Sequence, residues 1–120
     1  MGTRLETGVD IVEIGRLKMA IERHGSRFLK KVFTEGELSQ TRGEVRSLAA
    51  RFAAKEAAFK VLGAQAGWRQ VEVCRESSGK PRLLLHGRAL EIAGRLGLQS
   101  WAVSLSHCDI YAVAVVVASD

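Results

Sequence analysis

Two carboxylates stand where the fold would be better served by apolar residues. Asp10 lies inside Gly-Val-Asp-Ile-Val at 8–12, and a buried carboxylate is expensive unless a cation, a metal or several donors meet it. The plainer alternative is an Asp at a strand end that caps the next helix. Glu56 follows Phe52 by four residues, Ala53 by three and Ala49 by seven, so it projects from the apolar side of a helix. Its plainer alternative is an i,i+4 ion pair with Lys60, worth only ~0.2–0.5 kcal/mol. Two carboxylates with free oxygens suit Mg2+, which commonly takes one or two of them and completes its shell with water and substrate phosphate. Lys60 comes one helical turn after Glu56, in place to touch a phosphate beside it. Arg51 and Lys55 share the helix, with Lys55 expected on its outer face. His107 ends Ser104-Leu105-Ser106-His107 just before a turn, where a histidine serves either structure or chemistry. Cys108 beside it points to the opposite strand face, which argues against a thiol–imidazole pair. The chain has no GxxxxGK[ST] or GxGxxG loop, so phosphate chemistry would rest on metal and basic side chains.

The elements that must hold these residues can be read from periodicity. Residues 5–12 alternate as a strand, with Leu5, Thr7, Val9 and Ile11 set against Asp10. Ile14, Leu17 and Ile21 recur at helical spacing up to Gly25, and Phe28, Leu29, Val32 and Phe33 form a second apolar turn. Thr34 with Glu37 three residues on predicts a capping box. Residues 44–62 are the long helix, with Val45, Leu48, Ala49, Phe52, Ala53 and Phe59 as its stripe and Gly63 as its stop. Val71 and Val73 alternate ahead of a Ser78-Gly79-Lys80-Pro81 turn and the run 83–85. A short helix over 89–96 precedes two strands, 101–107 and 111–118, joined at Cys108-Asp109. The last strand is apolar enough to predict cover on both faces. The expected fold is α+β, one compact domain over 1–120 with a mainly antiparallel sheet packed against a long helix.

With 120 residues, such a domain buries a limited share of its surface and gains from oligomerisation. No apolar run is long enough to cross a bilayer, and the N-terminal decapeptide is too polar for a signal peptide. Two cysteines without a CxxC or His/Cys pattern fit reduced thiols in a cytoplasm. Arg16, Lys18, Arg23, Arg27, Lys30 and Lys31 against the single Glu22 give this segment the whole chain's net charge of +5. The patch is either a solvated helix face or a dock for an acidic partner.

Five stretches in order make the case stronger than any one: GVDIVEIGRL (8–17), RFLKKVFTEGEL (27–38), RFAAKEAAFKVLG (51–63), SGKPRLLLHG (78–87) and SLSHCDIYAVA (104–114). Together they resemble the holo-acyl-carrier-protein synthase family of 4'-phosphopantetheinyl transferases over almost the whole chain, and so imply that family's fold. The resemblance implies transfer of 4'-phosphopantetheine from coenzyme A to a serine of an acyl carrier protein, with Mg2+ on Asp10 and Glu56 and 3',5'-ADP released. It implies Lys60 beside the active site, in phosphate contact or proton transfer. Arg51, the Gly79-Lys80-Pro81 turn, Ser106 and His107 fall where the family contacts coenzyme A, and Arg16 where it docks the acidic carrier. Arg23 and Arg27 extend that docking patch. A homotrimer with coenzyme A between subunits is the implied assembly. Cys108 departs from the polar residue usual there, and Ala58 widens AKEAF to AKEAAF. The rival class, a basic nucleic-acid-binding module, has few aromatics for base stacking and leaves Asp10 and Glu56 unexplained. Neither nucleic acid nor membrane is expected as a partner.

Overall fold

A computed structural model describes residues 3–120. β1 (Leu5–Glu13) leads into α1 (Ile14–Val32), α2 (Glu35–Thr41) and the central α3 (Val45–Leu62). A 3-10 turn at Trp68–Gln70 enters the hairpin β2 (Val71–Arg75) and β3 (Pro81–Leu85), followed by α4 (Gly87–Leu96), β4 (Ser100–His107) and β5 (Tyr111–Ser119). β1, β5 and β4 form an antiparallel sheet in that order, and β2–β3 form a second, two-stranded one. This is the α+β arrangement the sequence implies.

The helix signals sit where chemistry puts them. Thr34 caps α2 through the Glu37 amide while Glu37 reaches back to the Thr34 amide. Glu44 caps α3 through the Arg46 and Ser47 amides, and Gly63 closes it with φ 70°, a left-handed conformation cheap only for glycine. α1 runs through the expected break, kinked where Gly25 takes φ 57°.

α3 differs from the expected single-stripe helix. Ala49, Ala50, Ala53, Ala54, Ala57 and Ala58 are all buried, so the helix is packed nearly all round. The β1–β5–β4 sheet covers one side, and α1, α2, α4 and β2 cover the others. Small side chains let the sheet lie close. Gly8 is the tightest point: a Cβ there would run into the Ala57 carbonyl oxygen.

The three-stranded sheet has one covered face. Ala112, Ala114, Val116 and Ala118 of β5 point onto α3 and are fully buried. Tyr111 and Val115 on β5, with Leu5, Val9 and Ile11 on β1, face outward and are exposed. The expected cover on both sides of β5 is therefore corrected for the single chain: one face is packed and the other is an open apolar surface. The alternation in β1 is real, and its apolar side is the outward one, which turns Asp10 toward α3.

Candidate active site

Strand and helix bring the two anomalous carboxylates into one cleft. Asp10 comes from β1 and Glu56 from α3, and both line a hollow of about 410 Å³ with Ile11, Glu13, Arg16 and Phe52 among its walls. Asp10 is paired with Ala114 of β5, so the sheet register fixes its position. It caps nothing: the N-cap of α1 is Glu13 and carries no side-chain cap bond. Gly8, two residues earlier on the same strand face, permits the close strand–helix approach that the cleft needs.

Lys60 settles the other alternative. Its ammonium donates to the Val9 carbonyl at 2.8 Å and to Asp10 Oδ1 at 3.1 Å, instead of turning back to Glu56. Glu56 has no ion-pair partner within 4.0 Å among the described residues. Partial burial raises the Glu56 pKa, the Asp10 charge raises it further, and Lys60 offsets part of this. Asp10, Glu13 and Glu56 thus stand against Lys60 and Arg16, so the site holds more negative charge than its cations neutralise. Such a donor set fits a small hard cation such as Mg2+, which needs only one or two protein carboxylates.

The other sequence-derived residues divide into three groups. Arg16 lines the cleft, and with Arg23 it also lines the adjoining hollow along α1; Arg27 is exposed on the same helix. Gly79 and Lys80 lie in the β2–β3 turn and Pro81 opens β3; Gly79 has φ 88° and its carbonyl accepts from Arg75 at 2.7 Å. Ser106 and His107 line a smaller hollow with Tyr111 and Val113, and Ile11 borders both this hollow and the carboxylate cleft. None of residues 79–81, 106 or 107 lines the carboxylate cleft within one chain.

Arg51 lies elsewhere. It is buried, and its guanidinium donates to the Glu37 carbonyl at 3.2 Å and to Gln40 Oε1 at 3.1 Å. The structure ties it to α2 and does not bring it to the cleft. Lys55 requires a correction: it is fully buried, because the side of α3 that carries it is covered by α2, the 3-10 turn and β2. Its ammonium donates to Glu37 Oε1 at 2.7 Å, the Trp68 carbonyl at 3.0 Å and the Val71 carbonyl at 2.6 Å. Burial pushes the Lys55 pKa down, and Glu37 opposes the shift. Glu37, legible in the sequence only as a capping-box residue, also accepts from the Val73 amide at 2.9 Å. A Lys directly before Glu56 in a helix otherwise crowded with alanine is the available clue to this pair.

Comparison with known proteins agrees with this architecture. The family model described as the 4'-phosphopantetheinyl transferase superfamily matches residues 6–116. A holo-[acyl-carrier-protein] synthase of Moorella thermoacetica is 50% identical over 117 residues, covering 92% of this chain and 91% of that protein. One from Herpetosiphon aurantiacus is 46% identical, covering 94% and 97%. The crystal structure of the Helicobacter pylori synthase in complex with coenzyme A superposes with a TM-score of 0.85 at 28% identity, covering 93% of this chain and 98% of that one. The chain is a 4'-phosphopantetheinyl transferase and belongs to the holo-acyl-carrier-protein synthase family.

Proposed function

We propose that this enzyme transfers 4'-phosphopantetheine from coenzyme A to a serine of an apo-acyl carrier protein, depends on Mg2+ and releases 3',5'-ADP. The observation that carries the reading is the cleft in which Asp10 and Glu56, delivered by separate elements, meet, with Lys60 paired to Asp10 and no ion-pair partner for Glu56 among the described residues. Relatives named holo-[acyl-carrier-protein] synthase, one of them with coenzyme A bound, support the substrates.

In this reading Asp10 and Glu56 hold Mg2+, which when bound neutralises charge on the pyrophosphate of coenzyme A. The serine oxygen bonds to the β-phosphorus, and the bond from that phosphorus to the bridging oxygen breaks as 3',5'-ADP leaves. Lys60, fixed by the Val9 carbonyl and Asp10, steadies phosphate oxygens. Glu56, which unlike Asp10 has no lysine within ion-pair distance, is in place to take the serine proton. Catalysis is then chiefly positioning and charge stabilisation. Arg16, Arg23 and Arg27 steer the acidic carrier toward the cleft.

The open apolar face of β1 and β5 supports assembly as a homotrimer, since exposed patches of this kind mark interfaces. Coenzyme A between subunits would then be met by Gly79, Lys80, Pro81, Ser106 and His107 of a neighbouring copy or of the same one. Reduced Cys74 and Cys108 fit work in the cytoplasm; among the described residues no helix is long and apolar enough to cross a membrane. The test is mass spectrometry of apo-acyl carrier protein incubated with the enzyme, coenzyme A and Mg2+. A gain of one phosphopantetheine, lost in EDTA, is the expected result. No gain with several apo carriers would contradict the reading.

A further inference from the structure

The buried Glu37–Lys55 pair has no part in the chemistry above, yet contacts through Trp68 link it to the cleft wall. Lys55 uses all three ammonium protons, on Glu37 Oε1, the Trp68 carbonyl and the Val71 carbonyl. Glu37 is equally committed, accepting from the Thr34 amide on one oxygen and the Val73 amide on the other. Four elements meet at this pair: α2, α3, the 3-10 turn and β2. The Trp68 ring stacks on Phe52 with centroids 4.9 Å apart and 19° between planes, and meets Phe59 edge-on at 5.3 Å. Phe52 is one turn before Glu56, and both line the carboxylate cleft. A continuous path therefore runs from Glu37 through Lys55 to Trp68, from Trp68 to Phe52, and from Phe52 to the wall that carries Glu56.

A buried ion pair is a poor device for stability alone, because a well-packed apolar replacement often does as well or better. What it supplies is direction: three acceptors fix where the 55–56 step of α3 lies relative to the 3-10 turn. We propose that Lys55 and Glu37 are positioning residues, which set the placement of Glu56 by locking Trp68 over Phe52. The inference rests on the proposed reaction for its kinetic readout and on cation binding for an independent one.

The test replaces the pair as a unit, since removing one partner alone would strand a buried charge. Lys55→Met with Glu37→Gln keeps an acceptor for the Val73 amide and is measured for thermal stability, for Mn2+ binding by electron paramagnetic resonance, and for kcat and KM. A folded double variant is expected to lose about tenfold or more in kcat, since misplacement by about 1 Å can cost about a hundredfold. Its KM for coenzyme A should stay near wild type, and its Mn2+ affinity should fall severalfold. A folded double variant with wild-type kcat and Mn2+ affinity would overturn the proposal. If the double variant does not fold, Trp68→Leu tests the same path without touching the ion pair. Lowered kcat and weakened Mn2+ binding are expected there, and wild-type values would overturn it. A wild-type enzyme that neither transfers phosphopantetheine nor binds Mn2+ would overturn the parent reading along with this one. Failure of the variants alone to change leaves that reading standing.

Discussion

Lys55 and Glu56 are neighbours on one helix and live in opposite electrostatic worlds. Lys55 is sealed in the core with every proton placed, and its partner Glu37 is satisfied as completely. Glu56 faces a cleft beside a second carboxylate, with no ion-pair partner among the described residues. The first arrangement is finished by folding; the second leaves carboxylate oxygens free, which in the proposed reaction a cation and a phosphate would meet. In the proposed reading, satisfied buried charge marks scaffold here and unsatisfied charge in a cleft marks the site.

The sharpest way to break the contrast is to delete each side. Asp10→Ala or Glu56→Ala should lower kcat by at least about a hundredfold, the scale seen when one group stabilising transition-state charge is lost, with the melting temperature held or raised. Lys55→Ala should do the reverse in kind, destabilising the fold by about 3–5 kcal/mol in urea denaturation because it strands the Glu37 carboxylate. Gly8→Ala falls between them. Its methyl group meets the Ala57 carbonyl, so a stability loss of about 1–3 kcal/mol should come with lowered kcat as β1 and α3 part.

A smaller effect follows from the raised Glu56 pKa. Burial and Asp10 lift it above its ordinary 4.5, so the folded enzyme holds this proton more tightly than the unfolded chain does. Folded stability in EDTA should therefore decline as pH rises from 4.5 through the raised value. Melting curves of wild type and Glu56→Gln should converge in acid and separate toward neutrality, the variant being the more stable by a few degrees. Mg2+ should remove much of that gap. Smallest of all is the effect expected at the proposed docking patch. Arg23→Glu should raise KM for the carrier protein severalfold at low salt, leave kcat unchanged, and matter less as salt is added.

The parts of this molecule that can be read from sequence are those set by local pattern. The Thr34–Glu37 capping box, the Gly63 stop and the Gly79 turn follow from short-range backbone chemistry. Asp10 and Glu56 stand out because each breaks an apolar pattern, and the structure brings both to one cleft. What local pattern hides is packing. A helix that is alanine-rich on several sides reads as one with a solvated back, which puts Lys55 outside, whereas the fold buries it. Arg51 is hidden for the same reason: its path to Gln40 and the Glu37 carbonyl depends on where α2 folds over α3. The apolar composition of β5 implies cover on both sides, yet a single chain covers one.

The most direct test of the central claim is a calorimetric titration of Mg2+ into the coenzyme A-loaded enzyme, run on wild type and on Asp10→Asn/Glu56→Gln. Saturable uptake by the wild type that weakens as pH falls, and none by the folded double variant, is the predicted result. Equal uptake by the two proteins would contradict it.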